Sequence, residues 1–360
     1  MGTFTPEITF GNYASGSMAE SPGILFKTLQ YTGGALTPAL TPALSLDFTA
    51  GSLDPRITVS RASGKTYFDS SGAIQLAAAN TAYFDYDPAT LTARGLLIEE
   101  ARINALRNSL LDGTNLSTQS VGMPATTFTL SFYGTGTITL SGASTAGPLV
   151  GTGMSTRVSL TFTPSGGLVT FTVSGTVKWA NLEVGSFATS FIPTAGSPAT
   201  RAADIVSMTG TNFSDWFNSA EGTFVAEYKA EAFASAARIF GTSDGTNANR
   251  ISMFEQASTI ARAEGVTSSI SQFILDNTIT TIDGAVHKTA LAYKTNDFAS
   301  CSDNGSVATD TSGSVPSGLN VLSLGSYEWG TGGNYFNGWL RSFKYYNNRL
   351  PDATLQELTV

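Results

Sequence analysis

The sequence predicts an all-β protein, on three observations. Charged residues make up only 13% of the 360, whereas glycine alone occurs 37 times, so solubility rests on hydroxyls, amides and backbone. Segments such as Thr127–Tyr133 and Leu168–Val173 alternate apolar and hydroxyl residues with period two, the pattern of a half-buried strand. Gly-rich turn signals return every ~10 residues, the spacing of a sandwich or jelly roll. A 41% hydrophobic share is enough for real cores, and a chain this long exceeds one core, so two or three domains are expected.

The N-terminal third is irregular. Short β-like runs (Ile8–Phe10, Ile24–Phe26) precede Thr37–Leu44, where a Thr-Pro-Ala-Leu unit occurs twice. Proline at every fourth position blocks a helix interior and a central strand, which predicts an extended spacer. Leu46–Phe48, Ile57–Ser60 and Gly64–Asp69 follow. The Asp87-Pro88 turn then leads into the densest stretch of charge, Arg94–Asn104, where three apolar residues are followed by two acids and a base. Glu99 and Glu100 are adjacent and point to opposite faces of a strand, so they cannot act as a catalytic pair. With Arg94 and Arg102 beside them they predict an ion-paired seam between an attachment region and the first sandwich, one that fixes orientation more than it adds stability.

From Thr126 the alternation is clean, through Phe128–Tyr133, Thr137–Leu140, Arg157–Phe162, Leu168–Val173 and Val177–Leu182. Hydroxyls are expected on the outer face and aromatics on the inner one. Gly185–Pro198 reads as a linker. Beyond it, Phe213–Asn218 predicts a helical turn capped by Ser214, and Gly222–Tyr228, Arg238–Phe240, Arg250–Phe254 and Ala290–Tyr293 predict strands. Asp244-Gly245, Asp283-Gly284 and Asn304-Gly305 predict hairpin turns with positive φ. Gly338–Tyr346 predicts a long strand with Leu340, Phe343 or Tyr345 toward the core, and Pro351–Leu358 a closing helix. The division is therefore an extended attachment region (1–104), a small jelly-roll sandwich (105–195) and a larger sandwich (196–360).

Several classes are excluded. A net charge of −8 argues against a phosphate backbone and an anionic membrane. No run of 18 apolar residues occurs, so no membrane insertion is expected. The start, Met1–Pro6, has neither a basic nor an apolar signal region, so no secretory signal is expected. One histidine (His287) and one cysteine (Cys301) rule out zinc sites built on several such ligands and an internal disulfide. The acids Asp69, Asp85, Asp87, Glu99 and Glu100 lack calcium-loop spacing, so neither metal nor cofactor is expected. His287 opens a predicted strand, which suits a structural role.

The order FDYDP (Phe84–Pro88) then RGLLIEEARIN (Arg94–Asn104) resembles a recurring module of phage head-spike or head-fibre proteins, also found in tail-associated adhesins. Phe128–Gly142 with Leu182–Thr194 resembles the small carbohydrate-module-like jelly roll that follows it in that family. TRAAD (Thr200–Asp204), EGTFVAEY (Glu221–Tyr228), HKTALAY (His287–Tyr293) and Phe336–Thr359 resemble the C-terminal laminin-G or concanavalin-like sandwich. The resemblance covers most of residues 50–360; the first forty-five lie outside it. It implies a virion-surface fibre that meets host surface polysaccharide, is made in the host cytoplasm and docks on other virion proteins through its N-terminal region. It also implies a homo-oligomer, a trimer by analogy. Many members have Thr where this chain has Ile103.

Three function classes remain. A glycoside hydrolase needs two carboxylates across the scissile bond, and Glu227 with Glu231 lie on one strand face. Lys229 between them would hold both acids ionised, against the need for a general acid, so no enzyme activity is expected. A glycan binder needs flat aromatics with amide and carboxylate partners, and Ser326–Tyr335 offers Tyr327, Trp329 and Tyr335 beside Glu328 and Asn334. Trp179 and Trp216 read as core or interface residues. The third class is a structural decoration without ligand.

Overall fold

The computed structural model describes residues 29–32, 35–38, 40–232, 236–327 and 334–360, with side chains from residue 40 onward. The chain divides into two compact units, Met1–Thr41 and Pro42–Val360. In the first, Leu29–Thr32 and Ala35–Pro38 form an antiparallel hairpin in which Leu29 faces Pro38. The expected spacer is therefore already β-strand at its start. Proline, which has no N–H to give, is confined to the strand's final position.

The second unit is almost entirely β. Its larger sandwich has a seven-stranded and an eight-stranded sheet. The seven run in the order Ile270–Thr278, Ile260–Thr267, Arg250–Ala257, Ala237–Ser243, Val321–Leu324, Ile205–Thr209 and Thr58–Ser60. The eight run Ala308–Asp310, Phe298–Ser302, His287–Lys294, Glu221–Ala230, Gly338–Tyr346, Ala93–Ile98 and Phe84–Tyr86, with Leu44–Asp47 also paired to Gly338–Tyr346. Between them lies the main core, including Leu46, Ile98, Phe224, Met253, Leu291 and Phe343. Leu340, Phe343 and Tyr345 are all fully buried. They can share a face despite their odd spacing because a bulge shifts the register between Glu227/Ser342 and Tyr228/Leu340.

The boundary expected at residue 104 is thereby redrawn. Strands Leu44–Asp47, Thr58–Ser60, Phe84–Tyr86 and Ala93–Ile98 are hydrogen-bonded members of the large sandwich, not an extended attachment segment. Their apolar residues were legible, but apart from the local pairing of Phe84–Tyr86 with Ala93–Ile98 their partners lie about 145 to 300 positions downstream.

The small sandwich is an insertion in the larger one. Its three-stranded sheet is Gly153–Phe162, Phe128–Gly134 and Lys178–Val184. Its four-stranded sheet is Gln119–Met123, Gly167–Ser174, Thr137–Gly142 and Leu149–Val150. Leu130, Phe132, Ile138, Val169, Phe171 and Leu182 fill the space between. Thr137–Gly142 shows the expected inside–outside alternation, but Phe128–Gly134 is buried on both faces. On that strand Thr129 bonds the Thr161 hydroxyl and the Gly185 carbonyl (3.0 and 2.8 Å), because the chain after Val184 folds back over it. Gly185–Pro198 is thus a packed strap rather than a free linker, with Phe191 and Ile192 buried.

Smaller elements also differ from expectation. Thr211–Ser214 is the short helix, capped by Gly210 and ending at Ser214 rather than starting there. Gly245 and Gly284 take positive φ, whereas in the third turn Asp303 and Asn304 do, one residue earlier than expected. Asp352–Leu358 is the closing helix; it packs Leu355 near Cys301. Trp216 is buried in the main core, and Trp179 donates to the Leu111 carbonyl at 3.1 Å. His287 is buried between Asp303 and Asp283, which hold its charged form.

Candidate functional site

The ion-paired seam is built differently from its expected membership. Ala93–Ile98 carries the chain into the joint between the sandwiches, where Glu99 is buried. Its carboxylate meets Lys65 at 2.9 Å and Arg201 at 3.0 Å, and accepts hydrogen bonds from the Ser190 amide and hydroxyl, both 2.7 Å. Asp204 completes the group, pairing with Lys65 at 2.6 Å and Arg61 at 3.0 Å and accepting the Glu99 amide at 2.9 Å. Tyr83 lies beneath both cations. Burial alone would raise the Glu99 carboxyl, but Arg201, Lys65 and Ser190 hold it well below the usual carboxylate range. Nearby, burial pushes the Glu183 carboxyl up; it accepts the Thr189 amide at 3.0 Å.

Of the four residues expected in the seam, only Glu99 sits in this network. Glu100 pairs with Arg102 at 2.5 Å at its edge. Arg102 lies over the Phe187 ring and against Gly185, whose φ of +125° is one that side chains rarely adopt. Arg94 pairs with Asp87 at 2.8 Å, 3.6 Å from Asp85, and stacks over Trp339. Glu99 and Glu100 both lie just past the end of the Ala93–Ile98 strand, the first buried and the second half-buried. Sequence reasoning missed Arg61, Lys65, Glu183, Arg201 and Asp204. In a chain with so little charge, lysine and arginine next to apolar strand residues were the available signal.

The aromatic loop is described only in part. Glu328 and Trp329 lie outside the described residues. Tyr327 is half-buried, with Arg238 sandwiched between its ring (4.3 Å) and Phe254 (3.7 Å), so one ring face is occupied. Asn334 accepts the Arg238 amide through its carbonyl, and Tyr335 is half-buried, its carbonyl accepting from Asn337. Glu227 bonds Arg341 at 2.8 Å, and it lines a different depression from Glu231.

A cleft lies between the sandwiches. A narrow cavity of about 60 Å³, walled by Tyr67, Phe68, Tyr133 and Trp339, adjoins an open polar trough of about 470 Å³. The trough is lined by Tyr133, Arg157, Phe187 and Glu231 with the hydroxyls of Ser155 and Ser186. Asp85, whose carboxyl is pushed up by burial, is fixed in the inner wall by the Phe68 amide (2.8 Å) and the Trp339 indole N–H (3.0 Å). The strap residues Thr189 and Ser190 line the narrow cavity together with Glu99, and their bonds to Arg201 and Glu99 tie this wall to the charged seam.

One titratable group stands apart. Glu255 lies on the core-facing side of its strand with Ile251 and Met253, is fully buried, and neither oxygen accepts a well-formed hydrogen bond among the described residues. Burial pushes its carboxyl up to about 8, Thr281 only partly opposing. The buried Tyr228 hydroxyl, which feels its charge, also lacks a hydrogen-bond partner among the described residues.

No family model matches the chain, and no curated protein does. Among solved structures, the CBM40 of a Ruminococcus gnavus IT-sialidase superposes with a TM-score of 0.35 at 16% identity, over 40% of this chain and 84% of that one. The NanB sialidase of Streptococcus pneumoniae gives 0.36 at 15%, over 42% of this chain and 26% of its own. A heptameric SAP-like pentraxin of Limulus polyphemus gives 0.30 at 12%, over 38% and 68%. Superpositions this loose say nothing about ligand or activity.

Proposed function

We propose that the chain is a non-catalytic fibre or spike protein of a phage surface, which holds host surface polysaccharide in the cleft between its sandwiches. The cleft is the observation that carries the glycan reading. A sugar offers hydroxyls all round and an apolar C–H face, so it needs hydroxyl and charged partners beside an aromatic wall. Half-buried Phe187, with Arg102 over one ring face, supplies the wall beside the largely buried Tyr133, and Ser155, Ser186, Arg157 and Glu231 are the partners. The virion setting, the homo-oligomer and the docking on other virion proteins rest on the sequence resemblance. The separation of Glu227 from Glu231 favours binding over hydrolysis, since a glycosidase needs both acids at one bond.

The test is binding to host cells with and without their surface polysaccharide, with Phe187→Ala as the site variant. Loss of binding on bare cells, and a drop of roughly ten-fold for the variant, is expected for a central aromatic contact. Equal binding to both cell types removes the reading, and release of reducing sugar overturns its non-catalytic part. A ligand-free decoration is the second reading, favoured by the buried ion network that locks the two sandwiches together.

A further inference from the structure

We infer that the sugar bound in this cleft carries an anionic group, met by Arg157. The inference rests on the cleft being the glycan site proposed above. Of the chain's twelve arginines, only Arg107 and Arg157 have no carboxylate within 4.0 Å among the described residues. Arg107 lies exposed on the surface, whereas Arg157 is half-buried in the wall of the trough. Arg94, the other arginine lining it, is already neutralised by Asp87.

Arg157 is also held in place. Its two terminal nitrogens donate to the carbonyls of Thr189 (2.5 Å) and Ala188 (3.3 Å). Those carbonyls belong to the strap that Glu99 pins through Ser190. Carbonyls fix a guanidinium without cancelling its charge, and its remaining N–H groups stay available. Glu231, Glu183 and Glu99 act on its charge without touching it, and a half-buried cation with no carboxylate in contact gains more from an incoming anion than a solvated one does. A guanidinium also matches the two oxygens of a carboxylate or sulfate. Glu231, exposed at the same trough, acts in the opposite sense: it repels an anion and limits the affinity.

The experiment is an oligosaccharide array with carboxylated, sulfated and neutral sets, read with the full chain and three variants. Binding confined to charged sugars is expected, the two charged sets showing which anion is taken. Arg157→Gln should weaken it by about ten-fold or more, as for a lost charge-assisted hydrogen bond. Arg157→Lys should retain part of it, and Glu231→Gln should strengthen it. Thermal melts of each variant separate loss of the site from loss of the fold. Neutral sugars bound as well as charged ones, or unchanged binding by folded Arg157→Gln, overturn this inference and leave the cleft reading standing. A native chain that binds no sugar overturns both.

Discussion

Replacing Glu255 with glutamine should change how stability depends on pH, because glutamine copies the shape of the neutral acid and cannot ionise. In the folded chain the Glu255 carboxyl titrates at about 8, against an ordinary value of 4.5. Below 4.5 both folded and unfolded chains hold the proton, and the group costs nothing extra. Between 4.5 and 8 the unfolded chain releases it while the folded chain retains it, so stability falls as pH rises. The slope is about 1.4 kcal/mol per pH unit, and the full penalty above pH 8 is about 5 kcal/mol. Urea denaturation of both proteins at intervals from pH 5 to 9 isolates this group, since every other titration is common to the two. The glutamine variant should gain on the native chain by about that slope and level off above pH 8. A difference flat with pH would show that Glu255 finds a partner for its charge, and would refute the reasoning.

Glu99 should show the opposite sign. Its depressed carboxyl contributes stability above the ordinary value of 4.5, lost as pH falls below it, and Glu99→Gln should remove that acid limb. By leaving Lys65 and Arg201 short of a counter-charge, it should cost about 3–5 kcal/mol in the same assay. Gly95→Ala should destabilise by about 1–3 kcal/mol or more, because Gly95 has φ +113° and a Cβ there would lie 2.4 Å from the Leu340 carbonyl oxygen. Native folding of that variant at unchanged midpoint would contradict the close strand packing. Light scattering should find a homo-oligomer; a monomer would remove that part of the proposal.

Strand content and much of the strand placement were legible because period-two alternation is a local signal. Leu340, Phe343 and Tyr345 were each readable as core, but the bulge that lets all three point inward depends on the facing Glu227–Tyr228. The seam was half legible. Its dense charges drew attention to Glu99, while Lys65 and Asp204, 139 residues apart, looked like ordinary surface residues until folding placed them 2.6 Å from each other. The cleft was not legible. Tyr133 and Arg157 lie on strands of one sandwich, Glu231 just beyond a strand of the other, and no spacing in the sequence relates them.

The pairing of Leu44–Asp47 and Ala93–Ile98 with Gly338–Tyr346 has a consequence for biosynthesis. A ribosome delivers residues 44–98 well before their partner strand exists. For roughly 240 residues of translation Leu44–Asp47 and Ala93–Ile98 lack that shared partner, their apolar side chains open to misassembly. The inserted small sandwich, whose strands pair only among themselves, can complete within that interval. Its early folding would hold residues 104 and 199 close together, shortening the loop that the larger sheets must later close.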